Sequence, residues 1–199
     1  MKRTNKRDEL IRVGREIIAQ QGFKAASLND ILTTAGVPKG SFYYYFGSKE
    51  DFGLAIVDDF ARDDRDRFER IFGDSQYSPL TRLHNYFELK IADMADCNCT
   101  DGCLMGNLAQ ELSAQNEIFR DRLGRVFAEW EQYFYQCLQA ASEAGEISTS
   151  SEVNIDLAKF ILASWEGAIL QAKVTKSVLP MQIFVRVLFT KVLSKSLSG

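Results

Sequence analysis

Residues 27–46 read SLNDILTTAGVPKGSFYYYF, a stretch that predicts two short helices joined by a tight turn. Ser27 and Asp30 have the spacing of a capping box, which marks the start of a helix. Gly36 suits the turn because glycine has no Cβ that restricts the backbone, and Pro38 suits the first turn of the second helix. The stretch is therefore typical of a helix-turn-helix.

The second of these helices, residues 39–45, combines small, hydroxylated, cationic and aromatic side chains. Its three consecutive tyrosines point in three directions, so some of the phenols face outwards, while Phe42 and Phe46 form buried anchors. Such a helix start fits contact with the phosphates and base edges of DNA. We expect this contact to come from Lys39, Gly40, Ser41 and the phenols that face outwards among Tyr43, Tyr44 and Tyr45.

The rest of the chain is also predicted to be helical. Only 3 of the 199 residues are proline and 13 are glycine, and the sequence contains no sustained two-residue alternation and no repeat. These features predict an all-α fold of about nine helices. The predicted helices cover approximately residues 6–21, 27–35, 39–45, 48–72, 79–95, 103–112, 116–144, 154–176 and 180–197.

The charge is unevenly distributed along the chain, whose net charge is −3. Residues 1–50 contain nine Lys or Arg and five Asp or Glu, whereas residues 51–199 contain 15 and 22. Only the N-terminal segment is therefore expected to contact a polyanion. No apolar run reaches the roughly 20 residues that span a bilayer, and no signal region follows the N-terminus, so we expect a cytoplasmic protein with no membrane partner.

Residues 6–55 resemble the DNA-binding domain of the TetR family of transcriptional regulators. The resemblance implies an N-terminal three-helix DNA-binding domain in residues 1–50 and a larger helical domain for regulation and dimerisation in residues 51–199. It also implies a homodimer that represses transcription from a palindromic double-stranded operator and has no cofactor. The resemblance rests on Gly22-Phe23, Ser27 to Leu32, Ala35 to Phe46 and Ser48 to Phe52.

The resemblance also assigns individual residues to DNA contact. Two residues match positions that contact phosphates, namely Ser27 and Lys49. Four residues match positions of the recognition helix, and one residue borders them; these are Gly40, Ser41, Tyr43 and Tyr44, and Lys39.

The last two predicted helices are apolar over more than one face, which indicates more neighbours than one small bundle supplies. One interpretation is a dimer interface, and the other is that these side chains simply form the core. For the dimer, we expect four side chains to be hidden only when two copies pair and place their recognition helices roughly 34 Å apart. These side chains are Trp165, Ile169, Phe184 and Leu188.

Three of the four cysteines, Cys97, Cys99 and Cys103, lie within seven residues. Clustered thiols in a reducing compartment are more often reactive or metal-binding than structural. Cys103 falls in the first turn of the predicted helix 103–112, where the helix dipole and free N–H groups favour a thiolate, although the neighbouring Asp101 opposes this. Three interpretations stay open: a sensor built on a reactive thiol, a metal site, and cysteines that only fill space.

The metal-site interpretation would use His84 as a fourth ligand beside three thiolates. The C-x-C-x3-C spacing lacks the paired C-x2-C motif that is usual in zinc sites, and we assign no metal. His84 shares the apolar stripe of its helix with Leu80 and Phe87, so we expect a buried core histidine instead. Cys137 also lies on an apolar stripe and is expected to be buried.

Residues 102–113, together with residues 166–173, resemble the N-ethylmaleimide-reductase repressors, a TetR subfamily in which some members respond to electrophiles and oxidants. The resemblance implies that Cys103 is a sensing thiol whose modification releases the operator. Cys97 and Cys99 depart from the subfamily pattern, and one of them would be a resolving thiol.

Modification of the thiol is expected to act through the helix 103–112. In the family fold this helix packs against the fourth helix, whose movement would change the spacing between the two DNA-binding domains. Lys173 shares a largely apolar face with Trp165 and Ile169 and is a candidate cation beside the thiol. Alternatively, its ammonium extends to solvent.

Other functions are compatible with parts of the sequence. A TetR-type repressor could respond to a non-covalent apolar ligand bound among Phe87, Met94, Phe127, Trp130 and Trp165. An enzyme is not expected, because no nucleophile–base pair stands out around the single histidine. An adaptor that binds only protein would not need the basic N-terminal segment or the helix 39–45.

Overall fold

The computed structural model of the protein describes residues 5–194. These residues form nine α-helices and one short π-helical turn, which confirms the prediction of an all-α fold. The helices are α1 (Lys6–Gln21), α2 (Leu28–Thr34), α3 (Lys39–Tyr45), α4 (Lys49–Phe72), α5 (Pro79–Asp96), α6 (Leu104–Leu112), α7 (Glu117–Glu143), α8 (Ser151–Thr175) and α9 (Leu179–Val187), after which comes the π-helical turn Leu188–Val192. In the described part of the chain, no helix is both long and apolar enough to cross a membrane.

The N-terminal ends of α2 and α4 are capped by the serines that the sequence indicated. The Asp30 amide donates to Ser27 Oγ at 3.4 Å, and the Asp51 amide donates to Ser48 Oγ at 3.0 Å. Each contact satisfies one of the backbone N–H groups that have no partner inside the helix. Helix starts are therefore fixed here by residues only three positions apart.

The two C-terminal helices differ from the prediction at their ends. α8 begins three residues earlier than predicted, because Ser150 caps it by accepting a hydrogen bond from the Val153 amide at 3.3 Å. α9 gives way to a π-helical turn, which the Leu193 amide closes by donating to the Leu188 carbonyl at 2.8 Å. The part of the predicted last helix beyond residue 194 lies outside the described residues.

The chain divides into two compact units, each built from two separate stretches. Among the described residues, the first unit comprises 5–64 and 103–124, and the second comprises 65–102 and 125–194. α6 therefore belongs to the same unit as α1, α2 and α3. The predicted boundary of the DNA-binding domain after residue 50 stays a prediction.

The core of the first unit depends on two glycines at helix crossings. A Cβ on Gly14 of α1 would lie 2.4 Å from the Phe52 ring of α4. A Cβ on Gly53 of α4 would lie 2.5 Å from the ring of Phe23 and 2.7 Å from the ring of Phe119 on α7. Both glycines therefore allow an approach that any larger residue would prevent.

The second unit has an aromatic core. The Phe68 ring stacks on Tyr133, with ring centroids 4.7 Å apart, and on Tyr86 at 4.8 Å. The Phe87 ring contacts Trp165 at 4.7 Å and Phe184 at 5.3 Å. Contacts of this kind contribute to stability beyond the area that the rings bury.

This core corrects the dimer prediction. Trp165, Ile169 and Leu188 are only 2%, 6% and 1% exposed in the single chain, and Phe184 is half-buried against Phe87 and Trp165. Phe184 therefore stays partly exposed, whereas Trp165, Ile169 and Leu188 are not hidden only in a dimer, because the single chain already covers them. Their burial supports the alternative that these side chains form the core.

Candidate nucleic-acid interface

α3 presents most of the predicted DNA-contacting side chains to solvent. Tyr44 is 84% exposed and Tyr43 is 60% exposed, whereas Phe42 is fully buried. Lys39 and Gly40 are also exposed, and Ser41 is half-buried. The predicted division of this helix into outward tyrosines and inward phenylalanines is therefore confirmed, while the contacts with DNA themselves stay a prediction.

The buried side of α3 is fixed to α4. The Phe42 ring lies 5.4 Å from Phe46 and 5.6 Å from Phe52 of α4, and the rings of Phe46 and Phe52 are 4.9 Å apart. The Tyr45 ring packs edge-on against Tyr44 at 5.0 Å and is half-buried. The exposed tyrosines are thus displayed by a helix whose opposite side is anchored.

The turn between α2 and α3 has the backbone that the sequence predicted. Gly36 has a φ of +60°, in the left-handed region that glycine adopts without strain. The Val37 amide donates to the Leu32 carbonyl at 3.0 Å and closes the turn. Lys6 Nζ donates to the Gly36 carbonyl at 3.4 Å from the start of α1. The turn is therefore tied to both α1 and α2.

Gly40 differs from Gly14 and Gly53, the two glycines at helix crossings of the first unit. It lies in a regular helix, and a Cβ built on it would meet no atom within 4 Å. Glycine costs a helix about 1 kcal/mol relative to alanine. Within residues 5–194, no atom packs against this position, so the backbone of α3 is open to solvent here.

Ser27 and Lys49 have structural roles in the chain. Ser27 caps α2, and Lys49 Nζ donates to the carbonyls of Ala26 at 2.7 Å and Lys24 at 3.3 Å. The Lys49 ammonium also lies 5.1 Å from the centre of the Phe23 ring. Because this cation already satisfies the turn between α1 and α2, we leave Lys49 out of the DNA contacts that we propose below.

Two cations at the start of α1 were not assigned individually from the sequence. Lys6 reaches the Gly36 carbonyl, and the Arg7 guanidinium lies 5.3 Å above the Phe46 ring. Both residues are exposed. The excess of Lys and Arg in residues 1–50 was the only sequence signal for them, and the structure places them beside the turn and the anchor of α3.

Cys103 lies at the N-cap of α6, one position before the predicted first turn. Its backbone is extended, with φ −88° and ψ 117°, and its Sγ accepts a hydrogen bond from the Gly106 amide at 3.4 Å. The residue is half-buried. A sulfur that faces the free N–H groups of a helix start is placed where a negative charge is stabilised.

Cys97 and Cys99 lie in a backbone segment of the second unit with unusual dihedral angles. Asn98 and Cys99 both have positive φ values, 51° and 54°. Cys99 is 3% exposed and Cys97 is half-buried, with its Sγ donating to the Met94 carbonyl at 3.3 Å. Lys176 Nζ donates to the Cys99 carbonyl at 3.2 Å. The buried thiol of Cys99 is therefore poorly placed to meet a reagent from solvent.

The side chain of Lys173 does not simply extend to solvent. Its Nζ donates to the Asp101 carbonyl at 3.2 Å, and the residue is half-buried. The ammonium thus caps the same backbone segment as Lys176 does. An effect of Lys173 on the sensing thiol stays a prediction.

His84 and Cys137 were both predicted to be buried, and the prediction is wrong for His84 and confirmed for Cys137. His84 is not a core residue, since its side chain is 45% exposed, with Nε2 3.8 Å from Glu88 Oε1. Within residues 5–194, no group of three or more His, Cys, Asp or Glu lies together to hold a metal ion. Cys137 is buried as predicted and donates to the Pro79 carbonyl at 3.1 Å. Burial raises the pKa of the Cys137 thiol to about 12.

Two pairs of the side chains predicted to bind an apolar ligand are in ring contact, Phe87 with Trp165 and Phe127 with Trp130. Phe87, Met94, Trp130 and Trp165 are buried, and Phe127 is half-buried with its ring 5.5 Å from that of Trp130. None of the five lines the apolar groove of about 530 Å³ that runs between α8 and α9. The groove is bordered by exposed or partly exposed side chains, among them Phe160, Leu179, Ile183 and Val187.

Two family models match the chain. Residues 10–56 match the model of bacterial regulatory proteins of the tetR family. Residues 79–188 match the model of the tetracyclin repressor-like C-terminal domain. The first match contains the whole of α2 and α3, and the second reaches from α5 to the start of the π-helical turn.

Individual relatives are similar over nearly their whole length. The HTH-type transcriptional repressor DhaR of Mycobacterium sp. strain GP1 is 35% identical, over 97% of this chain and 95% of DhaR. The crystal structure of a regulatory protein TetR from Rhodobacter sphaeroides is 35% identical, with a TM-score of 0.85 over 90% of this chain and 95% of that one. The crystal structure of the reduced form of NemR from Escherichia coli is 27% identical, with a TM-score of 0.87 over 98% and 99%.

Proposed function

The chain belongs to the TetR family of bacterial regulatory proteins, and we propose that within this family it is a homodimeric repressor that leaves its operator when Cys103 is modified by an electrophile or oxidant. The family makes it a DNA-binding regulator of transcription and not an enzyme. We propose repression, rather than activation, because DhaR and NemR from E. coli are both HTH-type transcriptional repressors.

DNA contact is proposed for the exposed face of α3. Tyr43, Tyr44 and Lys39 extend from a helix whose other side is anchored on α4, and Gly40 leaves the backbone open between them. Phenol hydroxyls and an ammonium can donate to base edges and phosphates in the major groove. Ser41 lies on the same helix, and Lys6 and Arg7 add positive charge beside the turn.

Dimerisation is proposed for the groove between α8 and α9. Exposed apolar side chains of the second unit concentrate on these two helices, and a second copy of the chain would cover them. Of the four residues expected from the sequence, Phe184 and Leu188 line this groove, whereas the buried Trp165 and Ile169 do not. The exposed apolar side chains that line the groove are Phe160, Leu179, Ile183 and Val187.

The observation that supports the sensing role is the position of Cys103 at the N-cap of α6. An electrophile such as N-ethylmaleimide has a C=C bond to which the thiolate sulfur adds. A new S–C bond forms, the π bond breaks, and the carbanion that results takes a proton from water. The bulky adduct then replaces the small sulfur that accepts from the Gly106 amide, so α6 loses its cap. The solved structure of E. coli NemR is that of its reduced form, which supports redox sensitivity as a property to test in this chain.

The test is release of DNA by N-ethylmaleimide. The probe is the double-stranded sequence that the wild-type protein selects from a randomised pool, and binding is followed by fluorescence anisotropy while mass spectrometry locates the adduct. We expect one adduct on Cys103 to release the DNA, and Cys103→Ser to stay bound at the same dose. The Cys97→Ser/Cys99→Ser pair should respond like the wild type, and the neutral, buried Cys137 thiol should stay unmodified.

Two results would contradict the thiol mechanism. Release of Cys103→Ser at the wild-type dose would move the sensor elsewhere. Full modification of Cys103 without release would instead favour the non-covalent apolar ligand as inducer.

A further inference from the structure

A carboxylate of α6, that of Glu111, contacts the turn between α1 and α2. Glu111 Oε2 accepts a hydrogen bond from the Phe23 amide at 2.7 Å, and Glu111 Oε1 accepts one from the Lys24 amide at 2.7 Å. Both oxygens of the carboxylate therefore bind successive backbone N–H groups that lie 88 and 87 residues away in sequence. Hydrogen bonds to an ionised acceptor are roughly twice as strong as those between neutral groups.

The same turn is held from its other side by a cation. Lys49 of α4 donates to the carbonyls of Lys24 and Ala26, while Lys24 Nζ donates to Gln115 Oε1 just beyond α6. An anion thus satisfies the N–H groups of the turn and a cation satisfies its carbonyl groups. The next residue, Ser27, caps α2, so the position of this turn sets where the helix-turn-helix begins.

The geometry of the turn leaves little room for a different arrangement. Gly22 ends α1 with a φ of +83°, and a Cβ on it would lie 3.1 Å from Glu111 Oε2. The Phe23 ring packs against Phe119 of α7, with ring centroids 5.3 Å apart. The carboxylate of Glu111 therefore reaches both amides across a glycine, next to a ring that is already fixed.

We infer that Glu111 is a positioning residue for DNA binding: it holds the turn between α1 and α2, and so α2 and α3, in the arrangement that binds the operator. α6 is nine residues long, with Cys103 at its N-cap and Glu111 near its C-terminal end. The two residues are eight positions apart, about 12 Å along the helix axis. A shift or loosening of α6 at Cys103 therefore reaches the turn through Glu111.

This route differs from the route expected from the sequence, in which α6 acts on α4. The two hydrogen bonds of Glu111 go to the backbone just after α1, and no member of α4 is needed between them. The role of Glu111 in holding the turn stands by itself, and only its use as a transmitter rests on the proposed sensing function of Cys103.

The chemistry of the contact predicts a graded series of variants. Glu111→Gln keeps one acceptor oxygen and turns an NH₂ group towards the second amide, whereas Glu111→Ala removes both acceptors. We expect the operator affinity of Glu111→Gln to fall about tenfold, which corresponds to about 1.4 kcal/mol, and that of Glu111→Ala to fall further. The matched control is Gln110→Ala, since Gln110 is exposed on the same helix and its side chain donates only to the Gly106 carbonyl of α6.

The readout specific to positioning is amide hydrogen exchange, measured by NMR on the DNA-free full chain. In Glu111→Gln, exchange should accelerate at Phe23 and Lys24 and stay slow at the buried Phe52 and Ile56 of α4. A merely structural role would accelerate exchange at all four residues and lower the melting temperature in proportion. That result, or unchanged operator affinity in Glu111→Gln and Glu111→Ala, would overturn the inference.

The same exchange measurement on protein treated with N-ethylmaleimide tests the role of Glu111 separately from the proposed thiol sensor. In the wild type, modification of Cys103 should accelerate exchange at Phe23 and Lys24 as the operator is released. Release without any change at these two amides would overturn transmission through Glu111 and leave the thiol sensor intact. If the reagent releases no DNA but the Glu111 series still behaves as expected, the thiol sensor fails and Glu111 remains a positioning residue.

Discussion

Gly14 and Gly40 both lie inside helices of the first unit, but their surroundings are opposite. A Cβ on Gly14 would meet the Phe52 ring at 2.4 Å, whereas a Cβ on Gly40 would meet nothing within 4 Å. The first glycine is needed by the packing of α1 on α4. The second weakens its helix and meets no packing partner among the described residues, and contact with DNA is the role that we propose for it. Only the structure therefore distinguishes a helical glycine that the packing of the chain requires from one that it does not.

The second unit also contains a helical glycine whose Cβ position is open. Gly167 in α8 has no atom within 4 Å of its Cβ position, and it lines the groove between α8 and α9. On the same helix, Trp165 is 2% exposed and Phe160 is 51% exposed. One face of α8 thus belongs to the core, and the other is left for the proposed second copy.

The largest effect is expected at the inward glycine. Gly14→Val places two methyl groups against Phe52 and Ile56, which are fully buried and cannot withdraw. We expect the free energy of unfolding, measured by urea titration, to fall by about 3 kcal/mol, since overpacking outweighs the gain in helix propensity. Gly124→Ala is the control, because its Cβ position is open. An equal loss of stability in both variants would show that the contacts around Gly14 do not distinguish it from Gly124.

The second-largest effect is expected for a substitution in the groove between α8 and α9. Ile183→Glu puts a charge on a 40% exposed apolar residue that lines it, and burying that charge in a dimer is unfavourable. We expect the free energy of dimerisation to weaken by about 2 kcal/mol, as measured by sedimentation equilibrium. Ile118→Glu, at a 65% exposed residue of the first unit, should dimerise like the wild type. A dimer unaffected by Ile183→Glu would place the interface elsewhere.

A smaller effect is expected on the outward face of α3. Tyr43→Ala and Lys39→Ala should each weaken operator binding by about 1.5 kcal/mol, as for the loss of a base contact. Both residues are exposed, so the melting temperature should not change. Unaltered operator affinity in both variants would remove these residues from the interface.

The smallest effect is expected at the outward glycine. Gly40→Ala should raise the free energy of unfolding by up to about 1 kcal/mol through helix propensity. The added methyl group should at the same time weaken operator binding, because it occupies the space left for DNA. Gly124→Ala should also stabilise the chain but leave operator affinity unchanged. Tighter binding by Gly40→Ala would contradict an external role for this glycine.

Several features of the site were predictable from sequence because they depend on neighbours a few residues apart. Ser27 and Ser48 cap helices through amides three positions later, and Gly36 adopts the left-handed backbone of its turn. Consecutive tyrosines cannot all face one core, so the exposure of some of the three tyrosines also followed from helical geometry. These local rules gave the helix-turn-helix and the resemblance that led to the family.

Other features depend on which distant element covers a given side chain. Glu111 binds amides 87 and 88 residues away, and Lys49 turns back to the carbonyls of Lys24 and Ala26. No periodicity in the sequence contains such pairs. His84 lies on an apolar stripe and still remains half-exposed, because a stripe does not say how much of it a neighbouring helix reaches.

By itself, the sequence determined the all-α fold, the serine caps of α2 and α4, the outward face of α3 and the family. Only the tertiary structure decided which apolar face of α8 is core, placing Trp165 inside and Phe160 at the groove, and where α6 meets the start of the helix-turn-helix. The physical reason is the distance along the chain over which each kind of interaction acts. Capping, turn geometry and helical periodicity act within one or two helical turns, whereas burial and hydrogen bonding between helices depend on packing that brings together residues far apart in the chain.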